Sequence, residues 1–336
     1  MNFTTPNNSV RGTSPSAVQC DLLPMDHVYG MMVVNLLSTV IGTIGNVLVI
    51  ATVPTTFSLQ TISNYWLVSM AIADLSVTAL GQPLFSVWLG LQTGGECDEI
   101  VSQAFRLIAN MSCAASVMHL GFISVDRCLL ILRPHDFRAI RTKKRFKIAL
   151  TIAWSVPVIY AVLRLTVSRE GTSYFGVIAV ALNYLVIITC YALIVLKIRK
   201  QGSATLTRRN SESPSGRTMA SDHTVERRVT ITIAIVIIIF TICWFPLVYL
   251  RSANAEKGLT YNWARTLALS NSSMNPWIYC FRITEFREAY KRLLRCQLRP
   301  AYKVDSGDEQ EMNTPVTRRS NEFDGSQEDP NDENTV

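Results

Sequence analysis

Apolar residues run in long unbroken blocks, not in the short alternation of a half-buried strand or the one-sided stripe of a soluble helix. Seven blocks approach or exceed the roughly 20 residues that carry a helix across a bilayer. They fall at about 28–53, 62–89, 100–131, 146–165, 174–198, 229–250 and 259–281. Charged connectors separate them. The pattern predicts an all-α membrane protein, a bundle of seven transmembrane helices, followed by a short amphipathic eighth helix over 283–295. A soluble domain with buried helices would not spread seven such blocks between charged loops.

Lysine and arginine set the orientation. The third connector carries Arg133, Arg138, Arg141, Lys143, Lys144, Arg145 and Lys147, and the fifth carries Lys197, Arg199, Lys200, Arg208, Arg209, Arg217, Arg227 and Arg228. Arg282, Arg287, Lys291, Arg292 and Arg295 follow the seventh block. The alternate connectors are poorer in both and include Glu96, Asp98 and Glu99. The positive-inside rule therefore places the amino terminus outside and the carboxyl terminus in the cytoplasm. The net charge of +7 in 336 residues reports topology and contact with anionic membrane lipid, not nucleic acid.

The ends read differently from the middle. Residues 1–27 are polar, with no cleavable leader, and are expected as an extracellular segment glycosylated at Asn2 and Asn7. The same acceptor pattern at Asn110 and Asn271 lies within apolar blocks and is expected to stay unmodified. Residues 28–298 form the helical domain. Residues 299–336, acidic at the end, are expected as a disordered cytoplasmic tail, and the inner loop 201–222, rich in Ser, Thr, Gly and Arg, as disordered too. Arg208-Arg209-Asn210-Ser211 and Arg318-Arg319-Ser320 fit basophilic kinase sites. Of eight cysteines, Cys113, Cys128, Cys190, Cys243 and Cys280 sit in or beside apolar blocks as core residues. Cys296 follows the amphipathic stretch and suits palmitoylation, while Cys20 and Cys97 are the outside pair open to a disulfide.

Rare polar and helix-breaking residues recur within the blocks: Asn46, Asp74, Asp126-Arg127-Cys128, Trp154 with Pro157, Cys243-Trp244-Phe245-Pro246, and Asn275-Pro276-Trp277-Ile278-Tyr279. An ionisable side chain at membrane depth is costly unless partnered, so Asp74 and Arg127 point to function. Taken together and in this order, over about 29–296, these markers resemble the rhodopsin-like (class A) G-protein-coupled receptors. The resemblance implies a ligand outside, a heterotrimeric G protein inside, and a plasma-membrane location, with receptor kinases and arrestin meeting the tail.

It also implies roles. Arg127, beside Asp126, would be clamped to Glu226 at rest and released as the sixth helix swings out, with Tyr191 and Tyr279 turning in to steady it. Phe240 and Trp244, with kinks at Pro246 and Pro276, would carry the movement. Asp74, Ser116, Asn271, Ser272 and Asn275 would face the bundle centre; a carboxylate with hydroxyl and amide oxygens suits a hard cation, and the family holds sodium there. A polar network that only joins helices is the plainer alternative.

The ligand is less legible. No lysine in the seventh block excludes a retinal Schiff base, Ala109 stands where amine receptors keep an acid, and Arg251 where adenosine receptors keep an Asn. Asn183 replaces the usual fifth-helix proline, and the short second outer loop has no cysteine, traits shared with melanocortin, cannabinoid and sphingolipid receptors. Arg106, Asn110, Cys113, Trp244, Arg251 and Arg265 are the candidate ligand contacts. If Arg106, Arg251 and Arg265 converge they form an anion site for a carboxylate or phosphate, such as an anionic lipid or small acid. Solvated arginines at the headgroup level are the rival reading. A peptide-activated receptor and a non-signalling seven-helix scaffold remain open. No nucleophile–base constellation suggests an enzyme.

Overall fold

A computed structural model of the chain describes residues 23–95, 98–166, 169–208, 217–253, 255 and 258–295; side chains at 135, 138, 165, 166, 169–175, 177, 201–208 and 217–228 are outside the description. Among the described residues ten α-helices follow one another. They are α1 (Met25–Thr55), α2 (Ile62–Ser76), α3 (Gln82–Thr93), α4 (Glu99–Leu132), α5 (Pro134–Ile140), α6 (Lys143–Thr166), α7 (Arg169–Arg208), α8 (Arg217–Ser252), α9 (Gly258–Arg282) and α10 (Thr284–Leu294).

Local chemistry sets the starts. Thr61 caps α2 by accepting the Asn64 amide, and Asp98 caps α4 by accepting the amides of Ile100 and Val101. Pro134 opens α5, where its missing N–H has no helical partner to lose. A π-helical turn, Val77–Gly81, joins α2 to α3, so the second membrane block is one span, Ile62–Thr93, with a local widening just after Asp74.

Among the described residues six spans are long and apolar enough to cross a membrane by length and composition. The seventh, α9, falls short because its buried face is polar: Asn262, Thr266, Ser270, Asn271, Ser272, Ser273 and Asn275 all point inward. Its burial inside the bundle, not its hydropathy, keeps it there. The inner segment 201–222, expected as disordered, is instead helical to Arg208 and again from Arg217. Extending a helix already nucleated in the membrane gains one hydrogen bond per residue fixed. Gly202 costs only about 1 kcal/mol against that.

The two ends of the bundle are called outer and inner after the charge-based orientation; α1, α4 and α9 begin at the outer end. An outer core packs Val28, Met31, Phe85, Leu89, Phe105, Ala109, Cys113 and Leu269. The main core below it joins Leu67, Met70, Val117, Leu120, Ile123, Val236, Phe240, Tyr279 and Phe286. A small inner cluster holds Cys128, Cys190 and Ile194. Gly42 lets α1 approach closely, since a Cβ there would lie 2.5 Å from Thr78 and 2.8 Å from Ser273. Val33, Leu37 and Val40 on α1, Leu182, Ile188 and Leu196 on α7, and Ile242 and Phe245 on α8 are exposed. Hydrocarbon, not water, is the solvent that suits such surfaces.

Candidate functional site

The site is a column of polar and aromatic side chains threaded through the bundle. At mid-depth Asp74 is fully buried. Its carboxylate accepts the Ser116 hydroxyl at 2.9 Å on one oxygen and the Asn275 amide at 2.8 Å on the other. Asn46, buried on α1, donates to the carbonyls of Gly42 and Ser272 and so ties α1 to α9 at the same level. Asn271 Oδ1, Asn275 Oδ1 and Ser112 Oγ are buried there without a hydrogen-bond partner. Two elements, α4 and α9, thus present oxygens around the carboxylate carried by α2.

At the inner end Asp126 and Arg127 are both buried. The ion pair of Asp126 is with Arg141, at 3.2 Å, on the short stretch between α5 and α6. Ser63, at the start of α2, donates to Asp126 at 2.6 Å and accepts from Arg141 at 2.7 Å, closing a triangle. The ring of Phe137 on α5 lies 4.9 Å from the same guanidinium. Burial lowers the pKa of Arg141 from its usual value, and Arg127 adds to that, while the Asp126 carboxylate opposes it. The triangle fixes the carboxylate next to Arg127 by ties to two other elements.

The two tyrosines expected to meet Arg127 both have buried hydroxyls without a hydrogen-bond partner. Tyr279 is buried and its ring lies 6.0 Å from that of Phe286 on α10; its hydroxyl makes no hydrogen bond. The Tyr191 hydroxyl is likewise without a partner, and Arg127 lies within electrostatic range of it. Glu226 lies on α8, but its side chain is among those not described, so the clamp falls outside the described residues. The same holds for Asn2, Asn7, Cys20, Cys97, Cys296 and both kinase motifs.

Higher up, Phe240 stacks on Trp244 at 5.5 Å with planes 13° apart. Trp244 packs against the main core and also against the outer core. At the outer end Arg265 lies among four rings: Tyr261 at 4.7 Å, Phe85 and Phe105 at 5.4 Å, and Trp88 at 5.5 Å. It also donates to Asn262. Arg106 has different partners, Ser102 on its own helix and Glu99 at 3.6 Å. Arg251 is half-buried at the end of α8, Asn110 is half-buried on α4, and Cys113 is a free thiol in the outer core.

The comparison with known families fits this column. A family model described as 7 transmembrane receptor (rhodopsin family) matches residues 45–174 and 166–279. The chain belongs to the rhodopsin family of seven-transmembrane receptors. It is 28% identical to the mouse alpha-1D adrenergic receptor over 316 residues, covering 76% of this chain and 55% of the relative. It is 27% identical to the dog adenosine receptor A2a over 300 residues, with 78% and 71% covered. It is 27% identical to the Drosophila tachykinin-like peptides receptor 99D over 293 residues, with 76% and 55% covered. The chain thus spans about half the length of the adrenergic relatives it matches. A crystal structure of squid rhodopsin superposes with a TM-score of 0.72 at 19% identity, over 88% of this chain and 94% of that one. These relatives are named as receptors, not enzymes.

Two polar arrangements in this rhodopsin-family bundle are among those the sequence does not announce. One is the Ser63–Asp126–Arg141 triangle, since nothing in the spacing singles Arg141 out from its basic neighbours. The other surrounds His119, a lone histidine in an apolar block. Its Nδ1 donates to the Ala115 carbonyl at 2.7 Å, because a carbonyl can only accept. Its Nε2 therefore accepts the Ser69 hydroxyl at 2.7 Å, and Ser69 in turn accepts the Trp154 indole N–H at 2.9 Å. The chain joins α2, α4 and α6, and Trp66 and Trp154 meet the imidazole edge-on. Trp154 was visible in the sequence as a marker; its partners were not.

Proposed function

We propose that this chain is a ligand-operated receptor of the plasma membrane, with its amino terminus outside, that activates a heterotrimeric G protein through outward movement of α8. The observation that carries the reading is the double contact of Trp244, which packs on the outer core and on the main core at once. Tyr191 repeats the arrangement below, packing on the main core and on the inner cluster beside Arg127. A ligand that displaces the outer core therefore has a packed route to the inner end. Two ends coupled by one two-state bundle influence each other reciprocally.

The ligand we favour carries an anionic group, as an acidic lipid or a small acid. Arg265 supports this: its guanidinium lies within 5.5 Å of four ring centroids at the outer end, and a planar guanidinium suits a carboxylate or phosphate. An amine ligand, as the name of the adrenergic relatives would suggest, lacks its acid here, because Ala109 occupies that position. A peptide is the second reading, favoured by the tachykinin-like relative.

Sodium is part of the proposal. Asp74, Ser116, Asn271, Ser272 and Asn275 would hold it, and the buried unpartnered oxygens of Asn271 and Asn275 fit a hard cation beside a carboxylate. A bound cation would neutralise Asp74 and favour the resting bundle. The tail would recruit receptor kinases and arrestin once the receptor is active.

The switch is tested with Glu226→Ala in cells carrying a promiscuous G-protein reporter. Ligand-independent signalling should rise severalfold over the parent at matched surface density. Equal basal signals in the two would remove the clamp from the mechanism.

A further inference from the structure

At one crossing of α7 and α4 an amide takes the place of apolar packing. Asn183 on α7 donates its Nδ2–H to the Val117 carbonyl of α4 at 2.7 Å. One turn further along α4, a Cβ placed on Gly121 would lie 2.1 Å from Asn183 Oδ1 and 3.0 Å from its Cγ. The amide therefore fits only because residue 121 is glycine. Val117 and Gly121 together form a cradle, one supplying the acceptor and the other the space.

The neighbours of this contact belong to the movement described above. Val117 is buried in the main core with Phe240. Tyr184, next to Asn183, has its ring 6.4 Å from Phe240, and its hydroxyl lies 3.4 Å from Thr241 on α8. One turn of α7 thus reaches α4 through Asn183 and α8 through Tyr184. An amide at membrane depth is unfavourable without a partner, and Asn is a poor residue for a helix interior. A proline here would bring no side-chain donor at all.

The bundle has the features of a resting arrangement. The hydroxyls of Tyr191 and Tyr279, which would steady a released Arg127, make no hydrogen bond. Tyr279 packs against Phe286 instead.

We propose that Asn183, Val117 and Gly121 form an interhelical latch that positions α7 against α4 and holds the receptor at rest. The latch is a positioning device; it touches neither ligand nor G protein. Its role rests on the receptor reading above.

The test uses the full chain in cells, with surface density measured for each variant. Asn183→Ala removes the donor. Gly121→Ala attacks the same contact from the other helix without removing any polar group. Each should raise basal G-protein signalling per surface receptor about three- to tenfold, the range of one interhelical hydrogen bond in a membrane protein. The double variant should signal no more than either single one, because both remove the same contact. A merely structural role would lower surface density and leave the signal per receptor unchanged.

Where Glu226→Ala raises basal signalling, an unchanged or reduced basal signal in Asn183→Ala, or additive effects in the double variant, would overturn the latch. Glu226→Ala is run alongside. If it signals and Asn183→Ala does not, the latch falls and the receptor reading stands. If both are silent, the clamp falls and basal signalling no longer decides the latch. The latch is then judged on purified chain in lipid nanodiscs, from probe distances between the inner ends of α4 and α7. A wider distribution in both single variants supports it; an unchanged one removes it.

Discussion

Two arginines near opposite ends of the bundle show how differently one side chain can be held. Arg141, at the inner end, meets a carboxylate, a hydroxyl and one ring, in a geometry closed on itself by the Ser63–Asp126 bond. Arg265, at the outer end, lies among four rings and an asparagine oxygen. A carboxylate answers a guanidinium along its in-plane N–H edge, the edge an incoming anion would use. Rings answer it across its faces. The first arrangement closes a carboxylate and a hydroxyl onto the arginine; the second surrounds it with rings, and it is the one proposed above to meet a ligand. Under the proposed function the inner end is switch geometry and the outer end a place of recognition.

The sharpest break in that contrast would come from Arg265→Ala. Losing a charge-assisted, two-bonded contact should weaken the response to a carboxylate or phosphate agonist roughly 100-fold. Basal signalling should stay at the parental level. Arg265→Lys keeps the charge but not the planar fork, so it should recover only part of the potency. Dose–response curves for a panel of fatty acids, lysophospholipids and short carboxylic acids measure this. Full potency in the alanine variant would place recognition elsewhere.

Arg141→Ala should do the reverse. It leaves Asp126 buried with Ser63 and without the cation that faces it. Breaking a buried pair costs about 3–5 kcal/mol, and Arg141 is one-fifth exposed, so the low end, about 3 kcal/mol, is expected. The melting temperature of purified receptor in nanodiscs should fall, while agonist potency stays within about threefold. A variant that melts like the parent but loses potency would reverse the assignment of the two ends.

Much of this was readable in the sequence, for identifiable reasons. The spans were legible because bilayer thickness imposes a length on apolar runs. Asp74, Arg127 and Pro276 stood out because charge and proline are rare at that depth. What failed were pairings that depend on a fold. The partner of Asp126 is set by how the stretch after α5 turns back under α2, so Arg141 looked like one basic residue among many. The ring cage of Arg265 draws Phe85 and Trp88 from α3, Phe105 from α4 and Tyr261 from α9, and no local pattern announces it. The helical extension of α7 to Arg208 is hidden in the sequence because polar composition alone points to disorder, although a helix emerging from the membrane is already nucleated.

Between the two ends lies Asp74, and it gives the smallest predicted effect. A sodium ion at that site touches neither ligand nor G protein. It can act only through its different affinity for the two states of the bundle, which bounds the coupling at about 1–3 kcal/mol. Replacing sodium with the bulky cation N-methylglucamine at constant ionic strength should therefore raise agonist affinity about fivefold in the parent. Asp74→Asn keeps the size of the side chain and a hydrogen-bonding oxygen for Ser116, but removes the charge that would hold a cation. Its agonist affinity should be the same in either salt. Arg265 is too far along the column to share in this response, so Arg265→Lys should retain the sodium effect on whatever affinity remains. If Asp74→Asn stays sodium-sensitive, the cation acts elsewhere, and the buried carboxylate serves only to join α2, α4 and α9.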